Sequence, residues 1–254
     1  MAPMRWPRRT LLVLILLAVW QWVVPHIVTT GPAFFPLPAD VADGFTSLLG
    51  SARFWRSVVT SVGRVLAGFT VATAIGVVLG IAIGVAPRVE AFVDLTIEML
   101  RPLPAMAWIP IAILWFGVGD VSSVFLVALG AFFPIVLNAA AGARTTARDY
   151  GKAALTSGAG PWLRFRRVTL PGALPWVLLG CRVGLGVGWM VIVSAEMVGA
   201  QSGLGFLIME ARSFARIDWV VACMIVIGLI GIGLDSTLER VQRRAAPWWG
   251  RVAA

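Results

Sequence analysis

The sequence predicts an all-α integral membrane protein with six transmembrane helices. Three observations carry that expectation. Of 254 residues, 59% are hydrophobic and only 13% are charged, with a mean hydropathy of +0.89; a soluble domain carries about 25% charged residues. Apolar runs that approach or exceed the ~20 helical residues needed to cross a ~30 Å hydrocarbon layer occur six times. Backbone groups inside lipid must be hydrogen-bonded within their own segment, which makes each run a helix.

The runs cover roughly 10–25, 58–86, 103–118, 121–142, 173–199 and 219–238, the first and third being short. The first follows "MRWPRR" and has the basic start of a signal peptide. It continues through Trp20, Gln21, Trp22 and Val24 with no small-residue cleavage site nearby, so a retained helix is expected. Arginines then set the orientation. With the N-terminus inside, the cytoplasmic side receives Arg5, Arg8, Arg9, Arg88, Arg101, the cluster from Arg144 to Arg167, and Arg240, Arg243, Arg244 and Arg251. The outer side keeps Arg53, Arg56, Arg212 and Arg216. This asymmetry follows the positive-inside rule and places both termini in the cytoplasm. The expected division is an N-terminal helix with an extracytoplasmic segment (1–57), a transmembrane domain (58–241) with a cytoplasmic loop at 143–171, and a cytoplasmic tail (242–254).

The net charge of +9 reflects that loop asymmetry rather than nucleic-acid binding, because no basic cluster lies on a nucleic-acid module. Cys181 and Cys223 sit in apolar runs and read as small core residues. His26 has no partners for a metal site and reads as a boundary residue, so no metal is expected. No internal repeat is visible, which argues against an inverted-repeat secondary transporter.

Two runs carry glycine ladders, Gly76, Gly80 and Gly84 in the second and Gly180, Gly184 and Gly188 in the fifth. Small residues at every fourth position make a flat face for close helix packing. The same two runs hold Arg64, Arg182 and Glu196. Ionisable groups at the bilayer centre cost at least ~2.5–3.5 kcal/mol and must face protein or water. Arg64 lies about two turns in from the outer side and Glu196 near the outer end of its run, so the two are expected to pair. Arg182 lies too far along its helix to reach Glu196. The functional reading is an outer gate plus a positive pathway favouring anions; the plainer one is structural pairing or snorkelling.

The loop between the fourth and fifth runs reads "KAALTSGAGPWLRFRRVTLPGALP" at 152–175. Tyr150, Ala153, Ala154 and Ser157 share a face of a short helix over 146–158. Gly158 ends it, Ala159 follows as a further candidate coupling residue with Lys152, Leu170 and Pro171, and Pro161, Pro171 and Pro175 bracket a second segment. A face of small residues admits close approach by another protein, and flanking arginines orient an acidic partner.

This stretch resembles the cytoplasmic signature of binding-protein-dependent ABC importer permeases, which runs E-A-A, three residues, G, nine residues, an aliphatic, one residue, L-P. Ala153 and Ala154 fill the alanines, Gly158 the glycine, Val168 the aliphatic, and Leu170 and Pro171 the close. "RPLPAMAWIPIAILWFGVGDVSSVFLVALGAFFPIVLN", "VSAEMVGAQSGLGFLI" and "LPLPADV" resemble the nitrate/sulfonate/taurine/bicarbonate branch, and the likeness runs from residue 36 to 244. Lys152 stands at the signature's glutamate, a reversal of charge.

The resemblance implies the type I importer permease (MetI-like) fold in the cell (inner or plasma) membrane. It also implies a second permease subunit, most simply forming a homodimer, two cytoplasmic ATPases that seat on the coupling loop, and an extracytoplasmic binding protein. This chain is not expected to be an enzyme. A phosphate-cradling loop needs G-x-x-x-x-G-K-[ST], but the only lysine, Lys152, is followed by Ala153, and Thr146 replaces the first glycine. ATP and Mg would therefore belong to the ATPase, and this chain holds no cofactor of its own. The solute expected is a small anion, the alternative being a pyrimidine-type vitamin precursor. A stand-alone channel or secondary transporter is the rival from another class; it would need no loop of this spacing.

Overall fold

A computed structural model describes residues 15, 18–22 and 36–248. The run at 10–25 falls largely outside these residues, as do His26, the arginines near the N-terminus and residues 249–254; residues 18–22 are helical.

The described residues are overwhelmingly helical. Helix α1 (Pro38–Leu49) starts on a proline, with the Leu37 N–H donating to Asp40 Oδ2 at 2.9 Å. It buries Val41, Gly44 and Leu48 and packs on the last helix, where the Trp219 Nε1–H donates to Ser47 Oγ at 3.0 Å. Helix α2 (Ala52–Val85) has 34 residues, about 51 Å at 1.5 Å per residue, well beyond a bilayer's hydrocarbon. Helix α3 (Pro87–Leu100) buries no residue fully. After the turn at 101–104 comes a 3-10 turn (Ala105–Trp108) running into α4 (Ile109–Phe116). Helix α5 (Asp120–Thr156) is the longest at 37 residues and carries Pro134 internally. Helix α6 (Pro161–Arg164) passes through a π turn (Phe165–Thr169) into α7 (Leu170–Gly199). Helix α8 (Leu204–Ser213) and α9 (Ile217–Ala245) complete the described chain.

Among the described residues, four helical stretches are long and apolar enough to cross a membrane: Ala52–Val85, Asp120–Thr156, Pro161–Gly199 and Ile217–Ala245. A fifth candidate is the pair Pro87–Leu100 and Ala105–Phe116, bent by 85°. Two expectations change here. The run at 103–118 is not a straight helix of its own; it is the outer arm of this bent pair, because Pro102 and Pro104 lack N–H groups and the chain breaks where helical bonds cannot continue. The helix expected at 146–158 is not separate either. No proline interrupts 135–156, so the alanine-rich stretch simply extends α5 to Thr156.

Helix α5 lies at the centre, packed along α2 on one side and α7 on the other. Its N-terminal half shares a core of Phe54, Val65, Val127, Trp189, Ile192, Leu204 and Cys223. Farther along, it shares one built from smaller residues, including Ala72, Ala131, Ala139, Ala143, Ala173 and Cys181. Alanine at these positions lets long helices run close together over many turns.

Candidate functional site

Both glycine ladders face α5. A Cβ on Gly80 would lie 2.5 Å from the Val136 carbonyl oxygen and 2.6 Å from Ala139 Cβ, and one on Gly84 2.6 Å from Ala143 Cβ. Gly76 has slightly more room, 3.0 Å from Ile135 Cγ2. From α7, Gly180 approaches Asn138 Cβ at 2.8 Å, Gly184 the Ala131 carbonyl oxygen at 2.8 Å, and Gly188 Val127 Cγ1 at 3.1 Å. The ladders therefore fix α2 and α7 on either side of one long rod that runs from Asp120 to Thr156.

At the Asp120 end of that rod lies a buried ion cluster. Arg64 on α2 and Glu196 on α7 have side chains 4% and 0% exposed, and Arg64 Nη1 lies 2.8 Å from Glu196 Oε1. The pairing expected from their depths is present, but it is one bond among several. Arg64 Nε and Nη2 also donate to Asp120 Oδ1 at 2.8 and 2.5 Å, and its two Nη groups to the Ser202 carbonyl and hydroxyl at 2.7 and 2.8 Å. Ser61 Oγ lies 2.8 Å from both Glu196 oxygens and accepts the Leu204 N–H at 2.9 Å. The Gly205 N–H donates to Glu196 Oε2 at 2.9 Å. Three donors, Arg64, Ser61 and the Gly205 N–H, thus hold the buried carboxylate, which offsets part of the cost of taking two charges out of water.

Sequence reasoning missed Asp120, Ser61, Ser202, Gly203 and Gly205. A signal existed for Ser61, one helical turn before Arg64 and so on the same face. Gly203 has φ +108° and a Cβ there would run into the Glu196 carboxylate; only the folded turn reveals that requirement. Arg182 lies apart, as expected. Its Nε and Nη2 grip Asp235 at 2.5 and 2.7 Å, with Glu239 at 3.3 Å, and Glu239 is shared with Arg243. This cluster joins the inner halves of α7 and α9.

At the inner end, α5 and the segment leading into α7 enclose an open groove of about 440 Å³. Of the coupling residues expected from sequence, Tyr150, Ala153, Ala154 and Pro171 line it, together with Ser157, Arg167, Val168 and Trp248. Lys152, Gly158, Ala159 and Leu170 do not line it, and Lys152 is exposed. Gly158 has φ +76°. Its N–H donates to the Leu155 carbonyl and the Ala159 N–H to the Ala154 carbonyl, both at 3.0 Å. These are the paired bonds of a Schellman motif, which needs a left-handed residue at this position and therefore favours glycine. Among the described residues, no group of three His, Cys, Asp or Glu side chains is placed to hold a metal ion.

The family described as binding-protein-dependent transport system inner membrane component matches residues 72–251. A putative ABC transporter permease protein of Methanocaldococcus jannaschii is 39% identical over 91% of this chain and 89% of its own length. The taurine transport system permease protein of Escherichia coli is 36% identical over 94% of this chain and 88% of its own. The nitrate import permease protein of Synechocystis is 28% identical, covering 94% and 89%. In fold, the chain resembles an inward-facing methionine ABC transporter at a TM-score of 0.67 and 18% identity, covering 79% of this chain and 97% of the other.

Proposed function

Given that this chain belongs to the binding-protein-dependent transport system inner membrane component family, and so is the permease component of an ABC importer, we propose that it carries a small anion of the nitrate, sulfonate or taurine type. The observation that carries the solute class is the similarity, over nearly the whole chain, to permeases named for taurine, aliphatic sulfonates and nitrate. Two copies flank one pathway, an extracytoplasmic binding protein delivers the solute, and two cytoplasmic ATPases, which hold the ATP and Mg, seat on the coupling loop.

The groove beside Tyr150, Ala153 and Ala154 is the seat proposed for the ATPase. Its floor is the inner end of α5, whose outer end begins at Asp120 beside Arg64. A push on the groove is therefore delivered through a helix packed by glycine faces to the Arg64–Asp120–Glu196 cluster, the proposed outer gate. Nucleotide binding favours one of two packings of this assembly, and that differential affinity drives alternating access.

The test is reconstitution of the permease with its ATPase and binding protein in proteoliposomes containing an ATP-regenerating system. ATP-dependent uptake of nitrate, taurine or an alkanesulfonate, absent without the binding protein, is expected. Uptake of a neutral pyrimidine precursor in place of all three anions would overturn the solute class and leave the permease assignment standing.

A further inference from the structure

The turn that breaks the bent pair carries a cation with no counter-ion. Arg101 is exposed and has no ion-pair partner among the described residues. It lines a cavity of about 350 Å³ whose other walls include Met106, Phe133, Pro134, Leu137 and Met190. Apart from the guanidinium, these side chains are apolar.

The depth of the cavity follows from helical rise. Its α5 residues, Leu129 to Leu137, lie about 14 to 26 Å along the helix from Asp120. Arg144, farther along α5, pairs with Glu90 at 2.6 Å, about 10 Å beyond Leu137. On α7 the wall at Val187 to Val191 lies about 8 to 14 Å inward of Glu196. The cavity therefore sits between the outer cluster and the inner surface. Counting arginines by sequence puts Arg101 at the cytoplasmic boundary; the bend instead places it beside a cavity within the span. An arginine at that depth, without an ion-pair partner among the described residues, is best accommodated where it faces a wet cavity or an anion. Broken helices beside a mid-membrane cavity are where transported ions find exposed polar groups.

The geometry points to Arg101 as the anion-recognising residue of a solute subsite in this cavity, taking a small organic oxyanion with a short apolar body. The guanidinium fork can donate two parallel hydrogen bonds to a pair of oxygens on a sulfonate or carboxylate. The apolar walls suit an alkyl chain, whereas bare nitrate would leave them unfilled. The volume is near the low end of ~300–1,000 Å³ for ligand pockets and suits a small solute. This inference rests on the importer reading above.

A lipid phosphate offers the same chemistry, and the experiment separates the two sources. The complete importer, with wild-type permease or with Arg101→Gln or Arg101→Lys, is placed in vesicles of zwitterionic lipid alone and in vesicles enriched in anionic lipid. Uptake of ethanesulfonate and nitrate and binding-protein-stimulated ATP hydrolysis are measured. Arg101→Gln should lower ethanesulfonate uptake about tenfold, the range of a hydrogen bond to a charged group. Nitrate uptake and stimulated hydrolysis should change less than about twofold, and Arg101→Lys should recover part of the sulfonate uptake. Unchanged ethanesulfonate uptake in Arg101→Gln, or an equal loss for nitrate, overturns the subsite. So does a wild-type importer whose uptake falls to the Arg101→Gln level in zwitterionic lipid, which would assign the guanidinium to lipid. If the wild-type importer moves neither anion, the anion reading fails together with the subsite; if it moves ethanesulfonate and the variant matches it, only the subsite fails.

Discussion

Arg64 shows how a charge can be held inside a membrane protein. Its guanidinium is shared between the fully buried Glu196 and an Asp120 whose side chain is 74% exposed, so the cluster reaches from the core to solvent. Breaking a buried pair by removing one partner typically costs ~3–5 kcal/mol. Arg64→Gln should approach that loss, because Glu196 keeps only Ser61 and the Gly205 N–H. Glu196→Gln should cost less, because Arg64 retains Asp120. The double variant should be milder than the sum, and a double-mutant cycle on thermal stability and stimulated ATPase activity measures the coupling. Zero coupling in both readouts would remove the basis of the proposed outer gate. Gly203→Ala belongs to the same site: with φ +108° and the carboxylate in the path of a Cβ, it should lower stability by about 1–3 kcal/mol. A variant as stable as the parent in a thermal melt would contradict that.

At the scale of elements, the ladders grade their own importance. Gly80 meets backbone that cannot swing aside, while Gly76 meets the side chain of Ile135. Gly80→Leu and Gly184→Leu should both reduce the yield of folded complex, with overpacking costs of about 1–3 kcal/mol or more. Gly76→Ala should be milder than Gly80→Ala, and Gly228→Ala, with open space around its Cβ position, should be near neutral. Equal melting temperatures across this series would show that the glycine faces do not set the packing. Gly158 acts differently, because a Cβ there has open space and only the backbone objects. Gly158→Ala should cost about 1 kcal/mol by forcing a side chain into a left-handed residue. Gly158→Leu should in addition uncouple hydrolysis from uptake, since it adds bulk to the exposed loop that the ATPase is proposed to meet. Tight coupling in the leucine variant, measured as solute moved per ATP, would count against that seat.

For the whole molecule, Lys152 is the point where this chain departs from the family signature, and its consequence lies in a partner. It is exposed and has no ion-pair partner among the described residues, so it is free to meet an acid on the ATPase. Lys152→Glu should then weaken assembly with the chain's own ATPase about two- to fivefold at low salt, in the range of an exposed ion pair, with the difference fading at high salt. Tighter assembly would mean that the partner still presents a basic group. Composition and the length of the apolar runs together determined that this chain is helical and lipid-embedded, because 13% charge suits it to lipid and runs near 20 residues cross lipid as helices. The spacing of Ala153, Ala154, Gly158, Leu170 and Pro171 carried the family resemblance, and i, i+4 spacing marked the glycine faces, because helical periodicity converts sequence separation into a shared face. The depths of Arg64 and Glu196 along their helices were likewise enough to match the two. The tertiary structure alone decided that Asp120, Ser61, Ser202 and Gly205 complete the cluster, that Arg182 pairs with Asp235, and that Arg101 lines a cavity within the span. Each depends on residues from separate helices or on a chain break meeting in space, and one-dimensional periodicity carries no information about which helices are neighbours.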